Sequence, residues 1–468
     1  LELLAKLREV VGPDAVLTAS QDIEPFLTDH RQLYHGAARA VILPSTTQQV
    51  AGVLRLCHAA AVSVVPQGGN TGYCGGATPD ASGSSIVLGL ARMNRIRSID
   101  AANFALVAEA GCTLASVQQA AATAERLFPL SLGSEGSCQI GGNLATNAGG
   151  TAVLRYGMMR DLTLGIEAVL ADGSVLSQLS PLRKDNTGYD LRHLLIGSEG
   201  TLAVITAACL KLFPAQRSAA TAWIALPSAD AAIALLGLMR ECSADLLSSC
   251  ELIPAAALSL VLQQVPGVHD PGATTSPWYL LAELTSSAAE PLDDLLEATL
   301  GRAVELGLAT DVVLARSEDQ RQNLWRLRES VPEAQRRAGA SLKHDISVPV
   351  ASLPALIEQG SALIARLVPE GFMVAYGHAG DGNLHFNVSQ RPGTDTKSFL
   401  AHEAVLKRAM HDLVAGLHGS FSAEHGIGQL KVQELARYAQ PAKLAAMRSI
   451  KQALDPRGIL NPGKVLLP

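Results

Sequence analysis

The chain has 468 residues, of which 48% are hydrophobic and 17% charged, with a formal net charge of −6. That length suits two or three domains with large cores, and the lack of any long basic run argues against a nucleic-acid partner. Cys57, Cys74, Cys112, Cys138, Cys209, Cys242 and Cys250 form no Cys-x-x-Cys pair, which argues against an iron–sulfur cluster or zinc ribbon and predicts free thiols in a reducing compartment.

No apolar run approaches the roughly 20 residues of a membrane span, so no transmembrane segment is expected. No signal peptide is visible, but the chain starts without Met, which leaves room for a missing N-terminal targeting segment. From the N-terminus, Leu1 to Val11 carries apolar residues at helical spacing, and Val41 to Leu43 reads as a short strand. Thr46-Thr47-Gln48-Gln49 resembles a capping box, opening a helix with Val50, Val53, Leu54 and Cys57 on its buried face. Val62 to Val65 is a buried strand that runs into Pro66-Gln67-Gly68-Gly69-Asn70-Thr71-Gly72-Tyr73-Cys74-Gly75-Gly76. Its glycines let backbone N–H groups turn toward one anion, as in a phosphate cradle. The pattern is neither Gly-x-Gly-x-x-Gly nor a Walker loop.

Ile86 to Leu90 and Ala105 to Ala110 read as strands and Thr113 to Ala124 as a helix. A second glycine field follows: Gly133, Gly136, Gly141-Gly142-Asn143, Thr146-Asn147 and Gly149-Gly150. Two such fields in one domain suggest a long ligand of dinucleotide size, held mainly by backbone. Leu162 to Leu179 reads as a hairpin turning at Asp172-Gly173, and Leu202 to Leu212 as a strand. Asp185 to Asp190 and Gly197 to Thr201 are polar loops. A boundary is expected near Pro214 to Ser218, where glycine density drops. Beyond it strands at Thr221–Ala225, Trp278–Leu284, Thr310–Leu314, Asp345–Val348 and Phe372–Tyr376 alternate with helices, an α+β pattern. One helix follows a second capping box, Ser317-Glu318-Asp319-Gln320. Asp455 to Lys464 is a proline-glycine turn, which predicts an ordered tail.

Two runs near the C-terminus carry the densest chemistry: Gly377-His378-Ala379-Gly380-Asp381-Gly382-Asn383-Leu384-His385 and Ala423-Glu424-His425-Gly426. The first reads as strand, glycine-rich turn, strand, a shape that can bring two imidazoles together. With Glu424 as third ligand, His378 and His385 suit a divalent metal such as zinc, with a position left open for substrate. His425 is then available to move a proton. The residues alone are equally compatible with hydrogen-bonded turn and core positions.

Taken together, several motifs resemble flavoproteins of the vanillyl-alcohol oxidase and p-cresol methylhydroxylase type, and most of all their D-2-hydroxyacid dehydrogenase branch. They are Pro-Gln-Gly-Gly-Asn-Thr-Gly at 66–72, Gly-Gly-Asn-x-Ala-Thr-Asn-Ala-Gly-Gly at 141–150, Arg-Lys-Asp-Asn-Thr-Gly-Tyr-Asp at 183–190 and Gly-His-x-Gly-Asp-Gly-Asn-Leu-His at 377–385. The first and third look more like hydroxyglutarate members than lactate or glycolate members. The resemblance implies an α+β fold: a two-subdomain FAD-binding domain of the p-cresol methylhydroxylase type over 1–217 and an α+β substrate (cap) domain over 218–420. It further implies a C-terminal helical segment over 421–468 that returns Glu424 and His425 to the flavin.

FAD is then expected to be non-covalent, because Asn70 and Thr71 stand where some relatives carry a flavin-linking His. By the same resemblance it would lie against Pro66, Gln67, Gly68, Gly69, Asn70, Thr71, Gly72, Gly76, Gly133, Ser137, Gly141, Gly142, Asn143, Thr146, Asn147, Gly149, Gly150, Tyr156, Gly157, Ile205 and Asn461. His378, His385 and Glu424 would hold zinc or a similar divalent ion, with His425 as base. Arg328, Lys343 and Asn383 would bind substrate. The chain departs from hydroxyglutarate members at Pro332, where they often place a Thr; proline donates no hydrogen bond. The implied reaction is oxidation of D-2-hydroxyglutarate to 2-oxoglutarate. D-lactate, D-malate or another D-2-hydroxyacid, an oxidase passing electrons to O₂, and a non-catalytic FAD-binding subunit are the alternatives. An electron-transfer flavoprotein or quinone as acceptor, a homodimer, and a cytoplasmic or, in a eukaryote, mitochondrial-matrix location complete the expectation.

Overall fold

The computed structural model describes residues 2–467. They form two compact units, Leu1–Gly150 with Gly157–Ala215 and Glu424–Pro468, and Thr151–Tyr156 with Gln216–Ala423.

The first unit contains two larger sheets and a two-stranded one, Arg126–Leu127 paired with Phe213–Pro214. Strands β1 (Ala40–Ile42) and β2 (Val64–Gln67) both run parallel to β3 (Ile86–Gly89), which lies between them, and Val16–Leu17 adds an antiparallel edge. The helix Thr47–Ala60 connects β1 to β2. Thr46 accepts from the Gln49 N–H at 3.2 Å while the Gln49 side chain accepts from the Ser45 N–H at 2.7 Å, so two otherwise orphaned amides are satisfied reciprocally. Val50, Val53, Leu54 and Cys57 are buried, as their spacing predicts.

The second sheet is antiparallel. Its strands are β4 (Ile96–Asp100), β5 (Ala105–Glu109), β6 (Thr163–Val169), β7 (Val175–Ser177) and β8 (Val204–Lys211), in the order β4-β5-β8-β6-β7. β6 and β7 are the two arms of the expected Asp172-Gly173 hairpin. β4 was not expected. It is an exposed edge strand with charges along it, so it shows none of the apolar alternation that marks a half-buried strand.

The expected proline-glycine turn near the C-terminus is built into the first sheet. The Asp455 carboxylate accepts from the N–H groups of Ile459 and Leu460, Leu460 bridges Val64, and the Asn461 N–H donates to the Val64 carbonyl at 2.8 Å.

The second unit is one antiparallel sheet with helices on both faces. In chain order its strands are β9 (Ser218–Leu226), β10 (Leu247–Pro254), β11 (Trp278–Ser286), β12 (Asp311–Leu314), β13 (Asp345–Ser347), β14 (Gly371–His378) and β15 (Asn383–Gln390), with a short Ser341–Leu342 strand. Their order in space is β12-β9-β11-β10-β14-β15, after which both Ser341–Leu342 and β13 pair with β15. Along β9, Ala222 and Ile224 enter one core and Trp223 and Ala225 the other, the period of two that a pleated strand imposes. Burial on both faces is why these strands read as continuous apolar runs.

β10 was missed in the sequence. Ser248, Ser249 and Glu251 interrupt its apolar character, yet all eight residues are buried.

Candidate functional site

In the first unit β2 delivers Pro66 and Gln67 into the glycine loop, and a cavity of about 1000 Å³ of empty space, part of it open to solvent, lies along it. Pro66, Gln67, Gly68, Gly69, Asn70, Thr71, Gly72 and Gly76 are in its lining, as are Gly141, Gly142, Asn143, Thr146 and Ile205, with Gln139 and Glu199. Gly133, Ser137, Asn147, Gly149, Gly150, Gly157 and Asn461 lie outside this lining, and Tyr156 belongs to the second unit.

Side-chain bonds hold the loop open. The Gln67 amide donates to the carbonyls of Phe26 and Ala77, and the Asn70 amide donates to the Thr28 carbonyl at 2.8 Å. A Cβ on Gly69 would sit 2.1 Å from the Ser137 carbonyl oxygen, so only glycine lets the two glycine fields approach this closely. The second field is not extended throughout: Ile140–Ala145 is a short helix.

No Lys or Arg lines the cavity among the described residues. An anionic ligand there would be met by backbone N–H groups. One buried side-chain oxygen of the lining, Gln139 Oε1, has no hydrogen-bond partner among the described residues. An unmade bond of that kind is costly, and a ligand with donors, such as a dinucleotide, would satisfy it. The cavity therefore fits FAD by its glycine cradle and its orphaned acceptor.

His425 lines the same cavity. Its ring meets Tyr73 edge-on, with centroids 4.7 Å apart and planes at 81°. The chain just after it is clamped by Glu199, whose carboxylate oxygens accept from the N–H groups of Ile427 and Gly428 at 2.7 Å each. Burial raises the Glu199 pKa, and those two amide bonds pull it part of the way back. In the sequence Glu199 stands out only as part of a polar loop. Glu424 lies in this unit as well.

In the second unit β14 and β15 form the expected hairpin, with Tyr376 paired to His385 and His378 at the end of β14. Gly382 has φ +83°, and a Cβ there would be 2.0 Å from the Val348 carbonyl, so the turn requires glycine. His378 and His385 come together, their ring centroids 5.8 Å apart.

Glu251 on β10 is directly opposite His378 in the antiparallel register, and its Oε1 lies 2.7 Å from His378 Nδ1. Its Oε2 accepts from Arg328 Nε at 2.6 Å. Arg328 is itself buried, near the end of the helix Glu318–Glu329, and its guanidinium lies 5.0 Å from the centre of the Tyr376 ring. Burial pushes the Glu251 carboxyl up, but Arg328 and His378 outweigh it and hold it down at about 2.

Lys343 is exposed. Asn383 is buried and donates to Asp345 Oδ1 and the Ile346 carbonyl, both at 3.0 Å. Asp345 Oδ1 is also 3.9 Å from His385 Nδ1.

Glu251 and Asp345 are not among the site residues expected from the sequence. The signal for Glu251 was present: an isolated acid in an apolar run can be buried only with partners. A histidine that gives Nδ1–H to a carboxylate keeps Nε2 for a ligand, which is how metal-binding histidines are usually held. His378 fits a divalent ion on that ground.

Residues 38–178 match a family model described as FAD binding domain, and residues 215–465 match one described as FAD linked oxidases, C-terminal domain. The chain is 41% identical over 464 residues to D-2-hydroxyglutarate dehydrogenase, mitochondrial, of Bos taurus, covering 99% of this chain and 83% of that one. It is 39% identical to the Arabidopsis thaliana protein of the same name, covering 98% of this chain and 80% of the relative. It is 35% identical to D-2-hydroxyglutarate dehydrogenase of Xanthomonas citri pv. viticola, covering 99% and 96%.

Among solved structures it resembles alkyldihydroxyacetonephosphate synthase (TM-score 0.77, 17% identity, 98% and 84% covered). It also resembles p-cresol methylhydroxylase (TM-score 0.76, 18% identity, 99% and 96% covered). These two likenesses bear out the expected fold. The glycine-lined cavity and the matches together define an FAD-dependent oxidoreductase. The chain belongs to the FAD-linked oxidase family, in the vanillyl-alcohol oxidase and p-cresol methylhydroxylase class.

Proposed function

We propose that this enzyme oxidises the C2 alcohol of D-2-hydroxyglutarate to the 2-oxo acid. The observation that carries the reading is His425 in the wall of the glycine-lined cavity: a proton acceptor in the same cleft as the flavin site. The relatives' names supply the substrate, and the buried Arg328 supports it as a fixed cation of the kind that pairs with carboxylate.

A bound FAD would supply the hydride acceptor for C2, and a divalent ion such as zinc would supply Lewis-acid polarisation of the hydroxyl oxygen. His378, His385 and Glu424 are the ligands we propose for that ion, on the chemistry of their motifs. His425 takes the proton from the C2 hydroxyl through an imidazole nitrogen. Arg328, Lys343 and Asn383 bind and orient the acid. The first unit is the flavin domain, the second the substrate domain, and the segment from Glu424 onward returns the base to the flavin. FAD is held without a covalent bond.

A second substrate is favoured by one residue. Pro332 is exposed at the start of the helix Val331–Ala338 and offers no donor, which would suit D-malate or D-lactate in place of the longer diacid. An electron-transfer flavoprotein or quinone as acceptor, a homodimer, and the mitochondrial location printed in the names of the bovine and plant relatives belong to the same reading.

The test is His425→Ala. The purified variant should keep its flavin, while anaerobic flavin reduction by D-2-hydroxyglutarate slows by about 10²–10⁴-fold. Reduction at close to the wild-type rate would remove His425 as the base.

A further inference from the structure

Glu251 lies at the centre of β10, completely buried, between β11 on one side and β14 on the other. Its register partner across β14 is His378, so both side chains leave the sheet on one face, and Tyr376, two residues before His378, shares that face. Arg328 reaches the same spot from its helix. One carboxylate thus meets two donors, Arg328 Nε–H at Oε2 and His378 Nδ1 at Oε1.

We propose that Glu251 is a positioning residue for both groups: it sets the orientation of Arg328 and fixes His378 in the tautomer with hydrogen on Nδ1 and the lone pair on Nε2. This rests on the proposed roles of Arg328 in binding the acid and of His378 in binding a metal.

A carboxylate at this position does what an amide cannot. Both carboxylate oxygens accept, so Arg328 and His378 Nδ1–H are satisfied together. Glutamine has the same shape, with one acceptor and one donor group. If its oxygen faces Arg328, its NH₂ faces His378, and the imidazole must present Nδ1 as acceptor and carry hydrogen on Nε2. If its oxygen faces His378, its NH₂ meets the Arg328 Nε–H, donor against donor, and Arg328 loses its seat. Glu251→Gln must therefore disturb one partner or the other, whereas Glu251→Asp keeps two acceptors and can recover part of the loss.

Two measurements test this. In the first, Glu251→Gln is purified with its FAD, zinc affinity is read by competition with a chromogenic chelator, and KM and kcat are read with D-2-hydroxyglutarate. FAD content should stay at the wild-type level. Either zinc affinity falls 10–100-fold or KM rises at least about tenfold with a smaller change in kcat, and Glu251→Asp moves back toward wild type. Wild-type zinc affinity and KM in Glu251→Gln would overturn the proposal.

The second needs no variant of Glu251 to fold. Nitrogen-15 NMR of the histidine-labelled wild-type holoenzyme, with His378 assigned by its loss in His378→Asn, should show hydrogen on Nδ1. Hydrogen on Nε2 would overturn the proposal. A wild-type protein that binds no zinc would refute the metal reading instead, while the tautomer would still decide the role of Glu251.

Discussion

Arg328 and Glu251 are both buried, and a buried charge is tolerated only with its counter-charge in hydrogen-bonding contact. Removing one member leaves the other desolvated. Arg328→Ala should therefore lower unfolding stability by about 3–5 kcal/mol, beyond any effect on substrate binding. Urea unfolding of the FAD-loaded protein measures this, and a loss below about 1 kcal/mol would mean that Glu251 does not depend on Arg328 for its charge. At this scale the sequence was half legible. His378, His385 and the glycine loops announced themselves because their chemistry is local in the chain. Glu251 did not, because its partners lie 77 and 127 residues away: strand register brings His378 opposite it, and helix packing brings Arg328.

At the scale of elements, capping and hairpin signals were reliable because they are settled within a few residues. The boxes at Thr46 and Ser317 both cap helices, and the hairpins at Asp172-Gly173 and between β14 and β15 both form. β4 and β10 failed for opposite reasons. One is too exposed to show an apolar face, and the other is buried on both faces with polar residues inside it.

β5 ends on Glu109, a buried carboxylate that accepts from Arg95 and Arg97. Burial pushes its pKa up, and the bonds from Arg95 and Arg97 outweigh that and hold it below the ordinary value of 4.5. A lowered folded-state pKa contributes stability that is fully present above the unfolded-state value and is lost as pH falls through the folded-state value. Glu109→Gln should thus melt below wild type near neutral pH, and the gap should narrow as pH falls below about 4.5. Scanning calorimetry across that range checks the sign, and a gap that widens in acid would contradict it.

At the scale of the molecule, each unit is made from separated stretches of chain. The first closes only when the C-terminal segment returns to pair Leu460 with Val64, where Lys451 also donates to the Thr201 and Leu460 carbonyls. The class of fold was legible from the alternation of elements and from motifs spread from Pro66 to Asn461. Strand order was not, because sheets such as β12-β9-β11-β10-β14-β15 are specified by packing between distant segments.

The proposed oxidation calls for FAD, a divalent ion and a D-2-hydroxyacid together. Its most direct test is anaerobic loss of the flavin's visible absorption on adding D-2-hydroxyglutarate, with the L-enantiomer, D-malate and D-lactate alongside, before and after chelation. Rapid bleaching by D-2-hydroxyglutarate, absent with the L-form, lost on chelation and restored by zinc, is the result predicted. No bleaching by any of the D-acids in the zinc-loaded enzyme would contradict the account.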